Sequence, residues 1–266
     1  MRLMPYFREA GSGPGVVCLH SNASASAQWK MLMERLAPQY HVLAPDTLGA
    51  GRSPAWPADR IIDLDDEVDL LEPIFEMAGA PFHLVGHSYG AAIALRVALT
   101  QRARIKTLCV YEPTCFSLLE EEIPGHPAAR GIHQTVIDAA AHIEAGRPLA
   151  AAERFIDYWM GTGSWAAMPD ARQQVVAGSM ANIGGWARAL TAEGTPLQAF
   201  RSLDLPVLYM TGGRSPDSSR AVARLLTGVL PNVSQVEFED LGHMAPVTHP
   251  ERINDVILRF LLQHRE

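Results

Sequence analysis

Short apolar runs without alternation punctuate the chain. Val16-Val17-Cys18-Leu19-His20 follows the glycine-rich stretch Gly11-Ser12-Gly13-Pro14-Gly15. Further runs are Tyr40 to Pro45, Phe82 to Val85, Thr107 to Tyr111 and Val207 to Met210, and Val233 to Phe238 is a looser one. Such runs predict strands buried on both faces of a parallel sheet. Helical spacings lie between them, at roughly 27–37, 63–78, 89–101, 218–229 and 249–264. Alternation of this kind predicts βαβ units with right-handed crossovers, hence an α/β fold with a mostly parallel, doubly wound sheet. Residues 2–8 are expected to add an edge strand that hairpins at the glycine-rich turn.

Residues 116–198 break the rhythm. They are rich in Ala, Trp and Met and show helical spacing, as at Val136, Ala140 and Ile143, with no convincing strand. They predict a helical insertion, with residues 1–115 and 199–266 forming the α/β core.

Composition narrows the partners. Of 266 residues, 48% are hydrophobic and 19% charged, as in a folded globular chain, and the net charge is −7. Only Lys30 and Lys106 are lysines. An acidic surface without a basic cluster disfavours nucleic acid and anionic membranes as partners. A small-molecule substrate is expected, and a homodimer is left open. Cys18, Cys109 and Cys115 are odd in number and irregular in spacing, which argues against a disulfide framework. Met1 to Pro5 lacks the apolar core of a signal peptide, and no stretch is long and apolar enough to span a bilayer. A cytoplasmic location is expected.

Candidate chemistry centres on Gly86-His87-Ser88-Tyr89-Gly90. A buried strand precedes this G-x-S-x-G motif and a strong helix former, Ala91 to Leu99, follows it. In that setting the turn exposes a nucleophilic hydroxyl above the sheet, and flanking glycines relieve the clash that a Cβ would make. Ser88 is therefore the predicted nucleophile. The loop His20-Ser21-Asn22-Ala23 follows the first buried run. Its Asn22 N–H, with that of Tyr89, is the expected pair of oxyanion donors, with Ser21 as the fallback. Asp46 to Ser53 contains G-x-G but not a dinucleotide fingerprint, and reads as a sharp turn stabilised by Asp46 and Arg52. Among ten histidines, His243 is the best-placed general base. It sits in a Gly-containing loop between the last strand and the last helix, at the sheet edge where ligands bind. No metal-ligand spacing occurs, and no metal or cofactor is expected.

Together the His20 loop, the Asp46–Ser53 loop, the Ser88 pentapeptide and Gly242-His243 followed by Pro250-Glu251 resemble the α/β-hydrolase superfamily. The resemblance spans residues 15 to 264 apart from the insertion. It implies a helical cap at 116–198, inserted between the sixth and seventh strands, and an ester, lactone, thioester or amide substrate. An Asp-nucleophile member is disfavoured because position 88 is Ser. The usual acid position reads Gly212-Gly213-Arg214-Ser215, and Ser215 cannot balance an imidazolium. Glu112, at the end of the preceding strand, is the favoured acid, as in some lipases and dehalogenases of this fold. Asp217 is the alternative. The expected substrate is small and largely apolar, met by His20, Ser21, Trp159, Trp165 and Trp186, with Tyr158, Met160 and Met168 as further apolar surface. Two other classes are carried alongside: a non-catalytic ligand-binding protein, and acyl transfer or cofactor-free oxygen chemistry on the same scaffold.

Overall fold

The computed structural model describes residues 3–56, 62–191 and 194–265. The chain runs β1 (Phe7–Ala10), β2 (Gly15–Leu19), α1 (Lys30–Leu36), β3 (His41–Pro45), α2 (Leu64–Ala78), β4 (Phe82–His87), α3 (Tyr89–Thr100) and β5 (Ile105–Tyr111). Five helices follow: α4 (Ser117–Glu122), α5 (Pro127–Glu144), α6 (Pro148–Met160), α7 (Asp170–Ser179) and α8 (Ile183–Thr191). The sheet resumes with β6 (Val207–Gly212), α9 (Asp217–Thr227), β7 (Val233–Phe238), α10 (Ala245–Thr248) and α11 (Pro250–Gln263).

The seven strands form one sheet in the order β1-β3-β2-β4-β5-β6-β7. All neighbours are parallel except β1, which runs antiparallel to β3. An edge strand exists, but at Phe7–Ala10 rather than over the expected 2–8, of which residue 2 lies outside the described residues, and it does not form a hairpin with β2. β2 lies interior and pairs with β3 and β4, so the glycine-rich turn carries the chain past β3 to reach it. The helical insertion falls between the fifth and sixth strands in chain order, not the sixth and seventh. The count implied by the resemblance is one higher than the five strands that the described residues form ahead of the insertion.

Alternation along the central strands feeds two separate cores. Val17 and Leu19 of β2, Leu84 of β4, and Leu108 and Val110 of β5 pack against α2, α3, α9 and the insertion. Val16, Cys18, Val85, Cys109 and Tyr111 face the other way, onto Leu32 and Leu36 of α1 and Ile253, Ile257 and Phe260 of α11. With both faces covered, these strands must be apolar throughout, which is the pattern the sequence carries. The three cysteines are free and buried. Among the described residues, no helix is long and apolar enough to cross a membrane.

The turn between β4 and α3 is the tightest junction. Ser88 stands at φ 56° and ψ −116°, a region costly for any residue with a Cβ. Its amide donates to the Tyr111 carbonyl at 2.9 Å, tying the turn to β5. The glycines on either side are required by contact. A Cβ at Gly86 would lie 2.6 Å from the Ala91 Cα, and one at Gly90 only 2.4 Å from the Leu19 carbonyl oxygen. Both obstacles are backbone, so neither can rotate away. Gly90→Ala should therefore force α3 off β2 and cost about 1–3 kcal/mol of stability. A urea titration with the wild-type slope and a lower midpoint is the expected reading.

Candidate active site

The C-terminal ends of β2, β4 and β5 and the loop after β7 converge above the sheet. Ser88 Oγ lies 2.9 Å from His243 Nε2, and His243 Nδ1 lies 2.7 Å from Glu112 Oε2. All three residues are buried. With Nδ1 protonated and donating to the carboxylate, Nε2 is left as the acceptor for the serine hydroxyl. The second oxygen, Glu112 Oε1, accepts the Gly212 N–H at 2.7 Å. Glu112 itself stands at φ 45°, one of three non-glycine residues with positive φ among those described. Its amide donates to the Met210 carbonyl at 3.1 Å, which locks this strained residue to β6.

Asp217 is elsewhere. Its side chain is 81% exposed, starts α9 and lies 4.0 Å from Arg220. Ser215 is buried beside Gly212, and its hydroxyl has no hydrogen-bond partner among the described residues.

The loop carrying His243 is clamped from below. Tyr111 Oη donates to the Gly242 carbonyl at 2.9 Å, and His87 Nε2 donates to the His243 carbonyl, also at 2.9 Å. Gln28 Nε2 donates to His87 Nδ1 at 3.1 Å, so both ring nitrogens of His87 are engaged. Burial first, and then its neighbour His243, holds His87 well below the ordinary imidazole range. It stays neutral and serves the site as a fixed donor.

The first loop contributes backbone. Ser21 and Asn22 line a cavity with Ser88 and His243. The Ser21 N–H is already donated to Gln28 Oε1 at 3.2 Å, which removes it as a free donor. The Tyr89 N–H belongs to the first turn of α3, where amides lack intrahelical acceptors. No partner is found for it or for the Asn22 N–H among the described residues.

His20 does not line this cavity, contrary to expectation. Its Nδ1 donates to the Ser21 carbonyl at 2.8 Å and its Nε2 accepts the Thr47 N–H at 3.1 Å, so the ring splices two loops together. The Asp46–Ser53 turn is held by the Asp46 carboxylate. It accepts the Arg52 N–H at 2.9 Å and the Ser26 N–H at 2.6 Å, while the Arg52 guanidinium lies over the Tyr6 ring.

The cavity above Ser88 has a volume of about 300 Å³. The insertion supplies most of its wall, including Ile132, Val136, Phe155, Trp159, Trp186 and Leu190. Trp165 is not part of that wall. It is buried within the insertion, its backbone bonded to Asp157 and Gln173. Tyr158 and Met160 also lie off the wall: Tyr158 bonds Ser218 at 2.7 Å, and Met160 is exposed. Met168 packs against the insertion's core. Phe155, His133 and Thr114 also line the cavity, and no motif marks them. Nothing in sequence spacing distinguishes a cavity-facing aromatic from a packed one.

A further residue hidden from sequence reading is Glu67. It is fully buried, accepts the Tyr89 hydroxyl at 3.0 Å on Oε1, and accepts the Leu48 N–H at 3.0 Å on Oε2. It joins α2 to the residue that follows Ser88. Burial raises its pKa to about 7, against the opposing effect of its two hydrogen bonds.

Among known proteins, a model of the alpha/beta hydrolase family matches residues 16–256. The chain is 24% identical to an (E)-2-((N-methylformamido)methylene)succinate hydrolase of Acinetobacter baylyi, over 98% of this chain and 94% of that protein. It is 27% identical to a pimeloyl-acyl-carrier-protein methyl ester esterase of Aeromonas hydrophila, over 94% and 96%. In three dimensions it resembles the crystal structure of an alpha/beta hydrolase from Sphaerobacter thermophilus, with a TM-score of 0.72 and 28% identity, covering 93% and 94% of the two chains.

The Glu67 environment makes a prediction. A carboxyl raised from 4.5 to about 7 on folding contributes stability that is fully present below the lower value and lost as pH rises to the upper one. Between about pH 4.5 and pH 7 the wild type should lose up to about 3 kcal/mol that Glu67→Gln does not lose. Urea unfolding of both proteins at pH 5 and pH 8 measures the difference.

Proposed function

The chain belongs to the alpha/beta hydrolase family, and on that footing we propose that it is a serine hydrolase acting on an ester, lactone, thioester or amide bond of a small, largely apolar substrate. The observation that carries this reading is the unbroken relay from Glu112 through His243 to the Ser88 hydroxyl at the floor of the cavity. The named hydrolase and esterase relatives support bond hydrolysis in general.

In the proposed mechanism, His243 Nε2 takes the proton as Ser88 Oγ attacks the substrate carbonyl. The Asn22 and Tyr89 N–H groups receive the oxyanion. Glu112 holds the ring in its working tautomer and balances the charge that forms on it. The imidazolium then protonates the leaving group. Water, activated by the same nitrogen, releases the acyl group from Ser88. The helices α4–α8 act as a cap whose apolar wall admits hydrocarbon and excludes bulk water, strengthening each of these polar contacts.

Three variants test the reading. Ser88→Ala should abolish hydrolysis of a p-nitrophenyl ester and labelling by a fluorophosphonate. Glu112→Gln should lower kcat by about 10³–10⁴-fold, whereas Asp217→Asn should leave it within a few-fold. Full turnover by the alanine protein would overturn the serine mechanism. A wild-type protein that refuses the label would favour a ligand-binding role instead.

A further inference from the structure

The His243 ring is not held by hydrogen bonds alone. The indole of Trp159, from α6 of the insertion, stacks on it with ring centroids 4.0 Å apart and planes inclined by 27°. Trp159 is fixed in turn by Phe116, Phe155 and Tyr158, whose rings lie 5.0–6.2 Å from it. It is buried, and its indole N–H has no hydrogen-bond partner among the described residues. A buried donor of this kind is ordinarily satisfied. What the indole offers at this position is its face.

Resting on the assignment of His243 as the base, we propose that Trp159 is a positioning residue whose ring face stabilises the imidazolium form of His243. A cation over an indole face is attracted by the ring's quadrupole, most strongly where both are desolvated. The charge exists only after Nε2 has taken the Ser88 proton, so the contact favours the charged intermediate over the resting state. The other groups facing the ring are the Glu112 carboxylate, from the end of β5, the neutral His87, from β4, and the Ser88 hydroxyl, from the elbow. Glu112 acts in the plane of the imidazole through Nδ1, whereas Trp159 acts on its face, and the two effects are separable by mutation. The insertion then does more than shape the substrate cavity: it reaches the base itself.

Trp159→Phe keeps an aromatic face and gives up no hydrogen bond. Trp159→Leu and Trp159→Met keep apolar volume and lose the face. The test is the pH profile of kcat/KM for a p-nitrophenyl ester, together with the rate of fluorophosphonate labelling at Ser88, which does not depend on fit of the natural substrate. In the leucine and methionine proteins the plateau should fall about 5- to 30-fold, and the acidic limb should move about half to one pH unit lower, because the charged form has lost support. The phenylalanine protein should recover most of both. The methionine protein carries the test if the leucine protein does not fold. Equal losses in Phe, Leu and Met with an unmoved limb would overturn the proposal and leave Trp159 as packing. A limb that moves upward would overturn it too, since that marks water admitted to the ring. If wild-type turnover survives Ser88→Ala, the serine mechanism itself fails, which is a different result from either.

Discussion

The hydrogen bond between Glu112 and His243 is the constraint around which this site is organised. Both residues are buried, at 0% and 2% exposure. A carboxylate in that setting is tolerable only when its oxygens are satisfied, and each has a donor: His243 Nδ1 on one side and the Gly212 amide on the other. The arrangement requires Glu112 to leave β5 with a positive φ, a strained geometry held by its own amide on β6. The carboxylate therefore hangs between two central strands. That frame is stiffer than a loop, and it sets where the imidazole, and through it the serine, must stand.

The supports radiate from that bond. Tyr111, the residue before Glu112, holds the Gly242 carbonyl, and its own carbonyl receives the Ser88 amide. His87, the residue before Ser88, holds the His243 carbonyl. The residues flanking two members of the relay thus position the remaining one. Burial keeps His87 neutral, so this clamp places no second positive charge beside the imidazole. Below the serine, Glu67 ties Tyr89 to α2 and to the turn after β3. The polar network is continuous and lies almost wholly inside the sheet's upper edge, where low dielectric strengthens each link.

The helices between β5 and β6 answer a different need. They present an almost wholly apolar wall above this polar floor, and their core is continuous with one face of the sheet. The two parts meet where Trp159 stacks on His243. The apolar wall and the polar relay are thereby brought within one ring's thickness of each other.

Local pattern alone decided a good deal. Continuous apolar runs announce strands covered on both faces, and helical spacing announces their covers, because burial is written residue by residue. The strand–Gly-x-Ser-x-Gly–helix order marks Ser88 because the backbone contacts at Gly86 and Gly90 leave no room for a side chain. The Gly-His loop after the last strand marks His243, since chain order places it at the same sheet edge. What the sequence left open is whatever depends on distance across the fold. Glu112 and Asp217 each offer a carboxylate, with the strand end favouring Glu112, but it is the packing of β5 beside β6 that brings one carboxylate to the imidazole and leaves the other at the surface. The partner of β1, the inward turn of His20, the burial of Trp165 away from the cavity and the grip of Glu67 on Tyr89 are likewise facts of the tertiary fold. Apart from Trp165, whose hydrogen-bond partners are eight positions away, they rest on contacts between residues tens of positions apart, which propensity and periodicity do not encode.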